Sequence, residues 1–154
     1  MEFKYHVLIG AIVSYSITII FNLEPLIGLT IFLASVLIDI DHYFWYAFET
    51  RDLNPFHAIG WYLRSEKKNR KLSKREKEEY KIPVFIFHNW ICWATLLVLG
   101  IFTNRIFLLI LIGFAIHIIP DLIYLKRRGL SIQRKISISY ALKRNKNKKS
   151  LTEL

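Results

Sequence analysis

Apolar residues along this chain come in four blocks of about twenty, set apart by two short polar turns and one long charged segment. The blocks cover residues 3–21, 26–48, 84–102 and 106–125. Crossing a hydrocarbon core of about 30 Å takes roughly 20 helical residues, so each block has the length of one transmembrane helix. Asn22-Leu23-Glu24-Pro25 separates the first two blocks and Thr103-Asn104-Arg105 the last two. Linkers this short leave room only for helical hairpins. Pro83 is expected in the first turn of the third helix, where a missing N–H costs little. The pattern predicts an all-α integral membrane bundle of four transmembrane helices, arranged as two hairpins. The first block reads as a retained span and not a signal peptide, because Met1-Glu2-Phe3-Lys4 carries no net positive charge and no small-residue cleavage site follows.

Between and after the blocks the pattern changes. Residues 52–63 open on a capping residue and are rich in aromatics, while 131–143 place Ile132, Ile136 and Tyr140 four residues apart among basic neighbours. Both suit amphipathic helices lying at the membrane interface. Residues 65–79 are charged and read as a solvated helix, and 145–154 as a disordered end. Residues 1–130, with the loop 49–83, are expected to form the membrane domain, and 131–154 a basic interfacial tail.

Charge orients the bundle. The chain has 154 residues, is 53% hydrophobic and yet carries a formal net charge of +10. Nine Lys and Arg fall in 64–81 and ten in the tail from Lys126, against Arg105 alone in the two turns. Basic loops stay on the cytoplasmic side, which places both termini and the long loop in the cytoplasm of a multi-pass cell-membrane protein. Tyr5, Tyr43, Trp45, Tyr46, Tyr80, Trp90 and Tyr124 lie toward the same ends of the blocks, as an aromatic belt would. The basic segments point to anionic lipids as partners, each Lys or Arg being worth ~1 kcal/mol at an anionic surface; a nucleic-acid partner is not expected. The single cysteine, Cys92, excludes an intrachain disulfide and a cysteine-rich zinc site.

Polar residues inside the apolar blocks carry the candidate chemistry. An ionisable side chain within a span is costly and usually serves a function. His6 opens the first block, Asp39, Asp41 and His42 close the second, His88 comes early in the third, and His117 and Asp121 come late in the fourth. In the predicted topology all lie at one depth, near the cytoplasmic face. At about 100° per residue, His117 and Asp121 share a helix face, as do Asp39 and His42. Asp41 points elsewhere. Ser35, one turn before Asp39, is expected to hydrogen-bond its carboxylate. Pro120 is expected to free the Ile116 carbonyl and kink the helix at the site. Helix bundles build metal centres from facing side chains in this way. His and carboxylate donors suit zinc, and also iron or manganese.

These residues resemble the membrane-bound metal-dependent hydrolase family typified by YdjM. The likeness rests on His6, Asp39-Ile40-Asp41-His42, Phe87-His88-Asn89 and His117-Ile118-Ile119-Pro120-Asp121, and spans roughly residues 3–130. The chain departs from the family pattern at Ile38, where proline is usual, and at Asn89, where serine is usual. The family is in turn distantly similar to zinc-dependent phospholipase C. The resemblance implies a hydrolase that acts on an ester or phosphoester, of a lipid, through metal-activated water at the cytoplasmic leaflet. His6, Asp39, His88, His117 and Asp121 would be the metal ligands, with Asp41 or His42 a further ligand or general base. Lys126, Arg127 and Arg128 follow the last motif and would serve either as stop-transfer charges or to hold a phosphate head group. The alternative is a non-enzymatic membrane protein whose polar layer holds a structural metal or passes an ion.

Overall fold

A computed structural model describes residues 3–150. It is all-helical: α1 Phe3–Ile20, α2 Pro25–Leu37, α3 Ile40–Thr50, α4 Pro55–Lys71, α5 Lys74–Lys77, α6 Trp90–Phe102, α7 Ile106–Arg127, α8 Gln133–Ile136 and α9 Ile138–Asn145. Three stretches are long and apolar enough to cross a membrane: α1, the run Pro25–Thr50 spanning α2 and α3, and α7. Their outward faces are apolar. Leu8, Ile12 and Ile19 on α1, Leu26 and Leu29 on α2, and Ile112 and Ile119 on α7 are all exposed. Large apolar side chains exposed along whole helices mark contact with a membrane or a partner. On three such spans together they define a membrane protein.

The expected third span is shorter than its hydropathy. Only Trp90–Phe102, 13 residues, is helical, about 20 Å at 1.5 Å per residue. Residues 82–89 run as irregular chain, so Pro83 lies outside the helix it was expected to start, and His88 sits in that chain just before α6. The cause is local: Asn89 caps α6, its side chain accepting the Ile91 N–H at 2.9 Å, and the three N–H groups before it are taken by a side chain from another element.

The packing centre lies between α2 and α7, which are in close contact, with α1 against both and α6 against α7. Ala34, Ile38, Phe114 and Ile118 form the buried apolar cluster. Gly113 sets the approach: a Cβ there would meet the Ile31 carbonyl oxygen at 2.5 Å and the Ser35 nitrogen at 2.9 Å. α7 continues through Pro120 without a break.

The second span breaks at its end. Asp39 N–H bonds the Val36 carbonyl, Asp41 N–H that of Ile38 and His42 N–H that of Asp39. Each is an i→i+3 bond, so the chain tightens for one turn and restarts as α3. Such mid-helix tightening often marks a functional position. Trp45 and Tyr46 on α3 are buried, not set in an aromatic belt.

The elements expected at a membrane interface are helical but organised differently. α4 starts at Pro55 with Asn54 as its cap. The 131–143 segment divides at Ser137 into α8 and α9, so Ile132, Ile136 and Tyr140 do not share one continuous helix. The expected disordered end is ordered as far as it is described. Asn145 pairs with Ile82 through both backbone groups at 2.8 Å. Arg144 donates to the carbonyls of Tyr80 at 2.7 Å and Lys77 at 2.8 Å. Lys149 pairs with the chain beside Tyr80. Residues 151–154 of that expectation lie outside the described residues.

Candidate metal centre

Four stretches of chain deliver polar groups to one buried point. His6 comes from the first turns of α1, Asp39 and His42 from the break between α2 and α3, His88 from the irregular chain before α6, and His117 and Asp121 from α7. His6, His88 and His117 are 4%, 0% and 2% exposed, so none is an ordinary interfacial histidine. The ligand atoms of His6, His117 and Asp121 lie within 4.8 Å of one another, and so do those of Asp39, His42 and His88.

The two groups meet at Asp39. Its Oδ1 is 3.3 Å from His42 Nε2, 3.3 Å from His117 Nε2 and 3.8 Å from His88 Nε2. Asp121 Oδ1 is 3.1 Å from His6 Nε2, and its Oδ2 is 3.7 Å from His117 Nε2. The His6 and His117 rings stack with centroids 3.9 Å apart.

The other nitrogens of two rings are committed. His88 Nδ1 lies 3.0 Å from Asp41 Oδ2, and His117 Nδ1 lies 2.8 Å from the Ser35 carbonyl oxygen. A carbonyl and an ionised carboxylate only accept hydrogen bonds, so Nδ1 carries the proton in both rings. A neutral ring then has its lone pair on Nε2. Both Nε2 atoms are buried without a hydrogen-bond partner, and both face the Asp39 carboxylate. Lone pairs directed at a carboxylate oxygen repel it unless a cation lies among them. Nδ1 held by carboxylate or carbonyl, with Nε2 turned inward, is how metal-ligating histidines are oriented. The donor set fits a divalent metal.

Asp41 is 1% exposed. Its carboxylate accepts the backbone N–H groups of Ile86, Phe87 and His88 at 3.1, 2.7 and 3.2 Å, besides His88 Nδ1. It therefore shapes the irregular chain and orients His88, and does not join the ring of Nε2 atoms. Its sequence neighbour His42 does join it. Ser35 acts through its carbonyl on His117, while its hydroxyl donates to the Phe32 carbonyl at 2.7 Å and not to Asp39 as expected.

Of the residues expected to hold a head group, Lys126, Arg127 and Arg128 are all exposed. Arg128 alone reaches the cavity beside the centre, its guanidinium 5.1 Å from the Tyr124 ring. Among the described residues, the cation nearest the centre is Lys135 of α8, whose Nζ is 3.0 Å from Asp121 Oδ2 and 4.4 Å from the Phe85 ring centroid. No local signal identifies Lys135, because it is one of ten cations in the tail. His57 lies apart and exposed, with Nδ1 2.8 Å from Asp52. Asp52 also accepts the Tyr46 hydroxyl at 2.5 Å and the Asn54 N–H at 2.9 Å. The Tyr46 bond first, then those from Asn54 and His57, holds its carboxyl down to about 2.

The fold and this cluster define the chain as a helical membrane protein with a buried His/Asp group able to hold a metal ion. Comparison with protein-family models, with curated proteins and with solved structures finds no match to it.

Proposed function

We propose that this protein is an integral-membrane, metal-dependent hydrolase acting on an ester or phosphoester of a lipid at the membrane–water boundary, on the cytoplasmic side of a cell membrane. The observation that carries the reading is the convergence of three imidazole Nε2 atoms on Asp39 Oδ1, two of them with Nδ1 already committed to acceptors. Asp39, His42 and His88 would hold one divalent ion, and His6, His117 and Asp121 offer a second group of donors next to it. Zinc suits these donors best, with iron and manganese as the other candidates. A metal in such a site lowers the pKa of bound water into the neutral range and polarises the scissile group.

The residues of this chain supply the rest. Asp41 fixes the tautomer and direction of His88, and the Ser35 carbonyl does so for His117. Lys135 neutralises Asp121 and lies where negative charge on a substrate would arrive. Two cavities border the centre, which supports catalysis over a purely structural metal, since a fully enclosed ion has no room for a substrate. The likeness to YdjM-type hydrolases points the same way.

Elemental mass spectrometry of the detergent-purified protein, with His117→Ala beside it, tests the reading. Near-stoichiometric zinc, iron or manganese that falls in the variant is the expected result. No metal in the wild type, even after reconstitution with each ion, refutes it and leaves a hydrogen-bonded polar layer in its place. A metal that is bound while no lipid ester or phosphoester is cleaved supports the structural alternative.

A further inference from the structure

The cavities on either side of the centre differ in chemistry. The larger, of about 1080 Å³, runs from His6, Asp39 and His42 outward between α1, the α2–α3 break and α4. Its walls away from the centre are mostly apolar, with Val36, Leu37, Ile40, Pro55, Ile59 and Leu63 among them, and Lys4, Glu66, Lys67 and Arg70 also line it. The smaller, of about 200 Å³, is lined by the cations Arg70, Lys77, Arg128, Arg134 and Lys135 and by the carboxylate Glu66, which pairs with Arg70 at 2.6 Å. His42, Asp121 and Lys135 belong to both walls, as do Tyr62, Glu66 and Arg70 of α4, so the two spaces adjoin between the metal-ligand cluster and α4.

The cations of the smaller cavity are not all neutralised by the protein. Arg134 is paired with Glu78 at 2.6 Å and Lys135 with Asp121 at 3.0 Å. Lys77 is 9% exposed, and its ammonium has no ion-pair or hydrogen-bond partner among the described residues. Burial, with Arg128 and Arg134 nearby, pushes its pKa down. With Arg128 and Arg134 beside this lysine, an arriving anion is attracted to it and lowers the repulsion among the cations. Aromatic side chains also line this space, and such rings attract quaternary ammonium groups. Here the faces of Phe85 and Tyr124 already carry Lys135 and Arg128, and the excess of cations on this wall disfavours a choline-type head group by like charge.

We infer that the substrate is a lipid with a small, unsubstituted phosphate head group, its phosphate held by Lys77 and Lys135 in the smaller cavity and its chain in the larger one. The inference rests on the hydrolase reading and narrows its substrate class. The linkage between head group and chain crosses the metal-ligand cluster, where His42 and Asp121 border both spaces. Lys126 and Arg127, outside both cavities, take no part.

Hexadecylphosphonate is a suitable probe, because its C–P bond resists hydrolysis. Binding to full-length, metal-replete protein in detergent is measured by calorimetry beside hexadecanol, hexadecyltrimethylammonium and inorganic phosphate. The phosphonate should bind at least roughly tenfold tighter than each of the other three. Lys77→Gln should weaken it by roughly tenfold, Lys77→Arg should restore it, and metal content should stay level in both. Equal affinity for phosphonate and hexadecanol in the wild type overturns the inference, as does equal affinity for inorganic phosphate, which would leave the groove without a role. A phosphonate preference unchanged by Lys77→Gln assigns the phosphate to the metal alone and overturns it too. Tighter binding of the quaternary ammonium has the same effect. Protein without metal fails the hydrolase reading instead, so the two failures are distinct.

Discussion

Asp41→Asn separates two roles that a carboxylate in this position can have. The Asp41 side chain accepts three backbone N–H groups and His88 Nδ1–H. It is 1% exposed, so water does not replace what is lost. An asparagine keeps the shape but offers one acceptor oxygen, and turns an NH₂ group toward donors that face Oδ1 or Oδ2. At least one buried N–H loses its partner, at about 1–3 kcal/mol, and the remaining bonds lose the charge that made each worth about 1.5–3 kcal/mol. A destabilisation of about 2–5 kcal/mol follows. His88 also loses the acceptor that fixes its tautomer, which typically costs ten- to a hundredfold in metal affinity. The assay is metal retention against a graded chelator series, read by elemental mass spectrometry, with thermal unfolding in the same detergent. If Asp41 served as a general base, Asp41→Asn would keep its metal and its stability and lose only turnover. Wild-type metal retention together with wild-type unfolding would therefore refute the positioning argument.

Two other predictions concern packing and pH. Gly113→Ala puts a methyl group 2.5 Å from the Ile31 carbonyl oxygen. It should cost about 1–3 kcal/mol by overpacking and also reduce metal occupancy, since α2 must move and Ser35 moves with it; unchanged unfolding and unchanged metal content would show that the helix pair yields freely. Asp52 gives a pH dependence outside the spans. Its carboxyl is held at about 2, below the ordinary 3.8, so its contribution to stability is complete above about pH 4 and is lost as pH falls toward 2. The wild type should therefore lose thermal stability relative to Asp52→Asn across that interval, and parallel curves for the two proteins would contradict the assignment.

Hydropathy is a sum over neighbouring residues, so the sequence by itself determined the apolar blocks, the all-helical class and which polar residues were costly enough to need a purpose. Helical periodicity was enough to pair His117 with Asp121 and Asp39 with His42, because those pairs are local. The same apolar sum overstated the third span. Residues 84–89 are hydrophobic enough for a helix, yet Asp41, 45 to 47 residues earlier, captures the backbone N–H groups at 86, 87 and 88. No local pattern registers that competition. For the same reason Asp41 is buried beside an irregular chain and does not fray into solvent, and Ser35 meets His117 through its carbonyl across 82 residues. The tail shows the limit most plainly. Its ten cations read as topology and membrane-surface charge, residues 131–143 as one interfacial helix and residues 145–154 as a disordered end. Only the tertiary structure selects Arg144 to fasten that segment to the carbonyls of Lys77 and Tyr80, and Lys135 to reach Asp121. Sequence fixes the cost of placing a group in an apolar setting. Which partner offsets that cost depends on contacts between residues far apart in the chain, and these exist only once α1, α2 and α7 have packed.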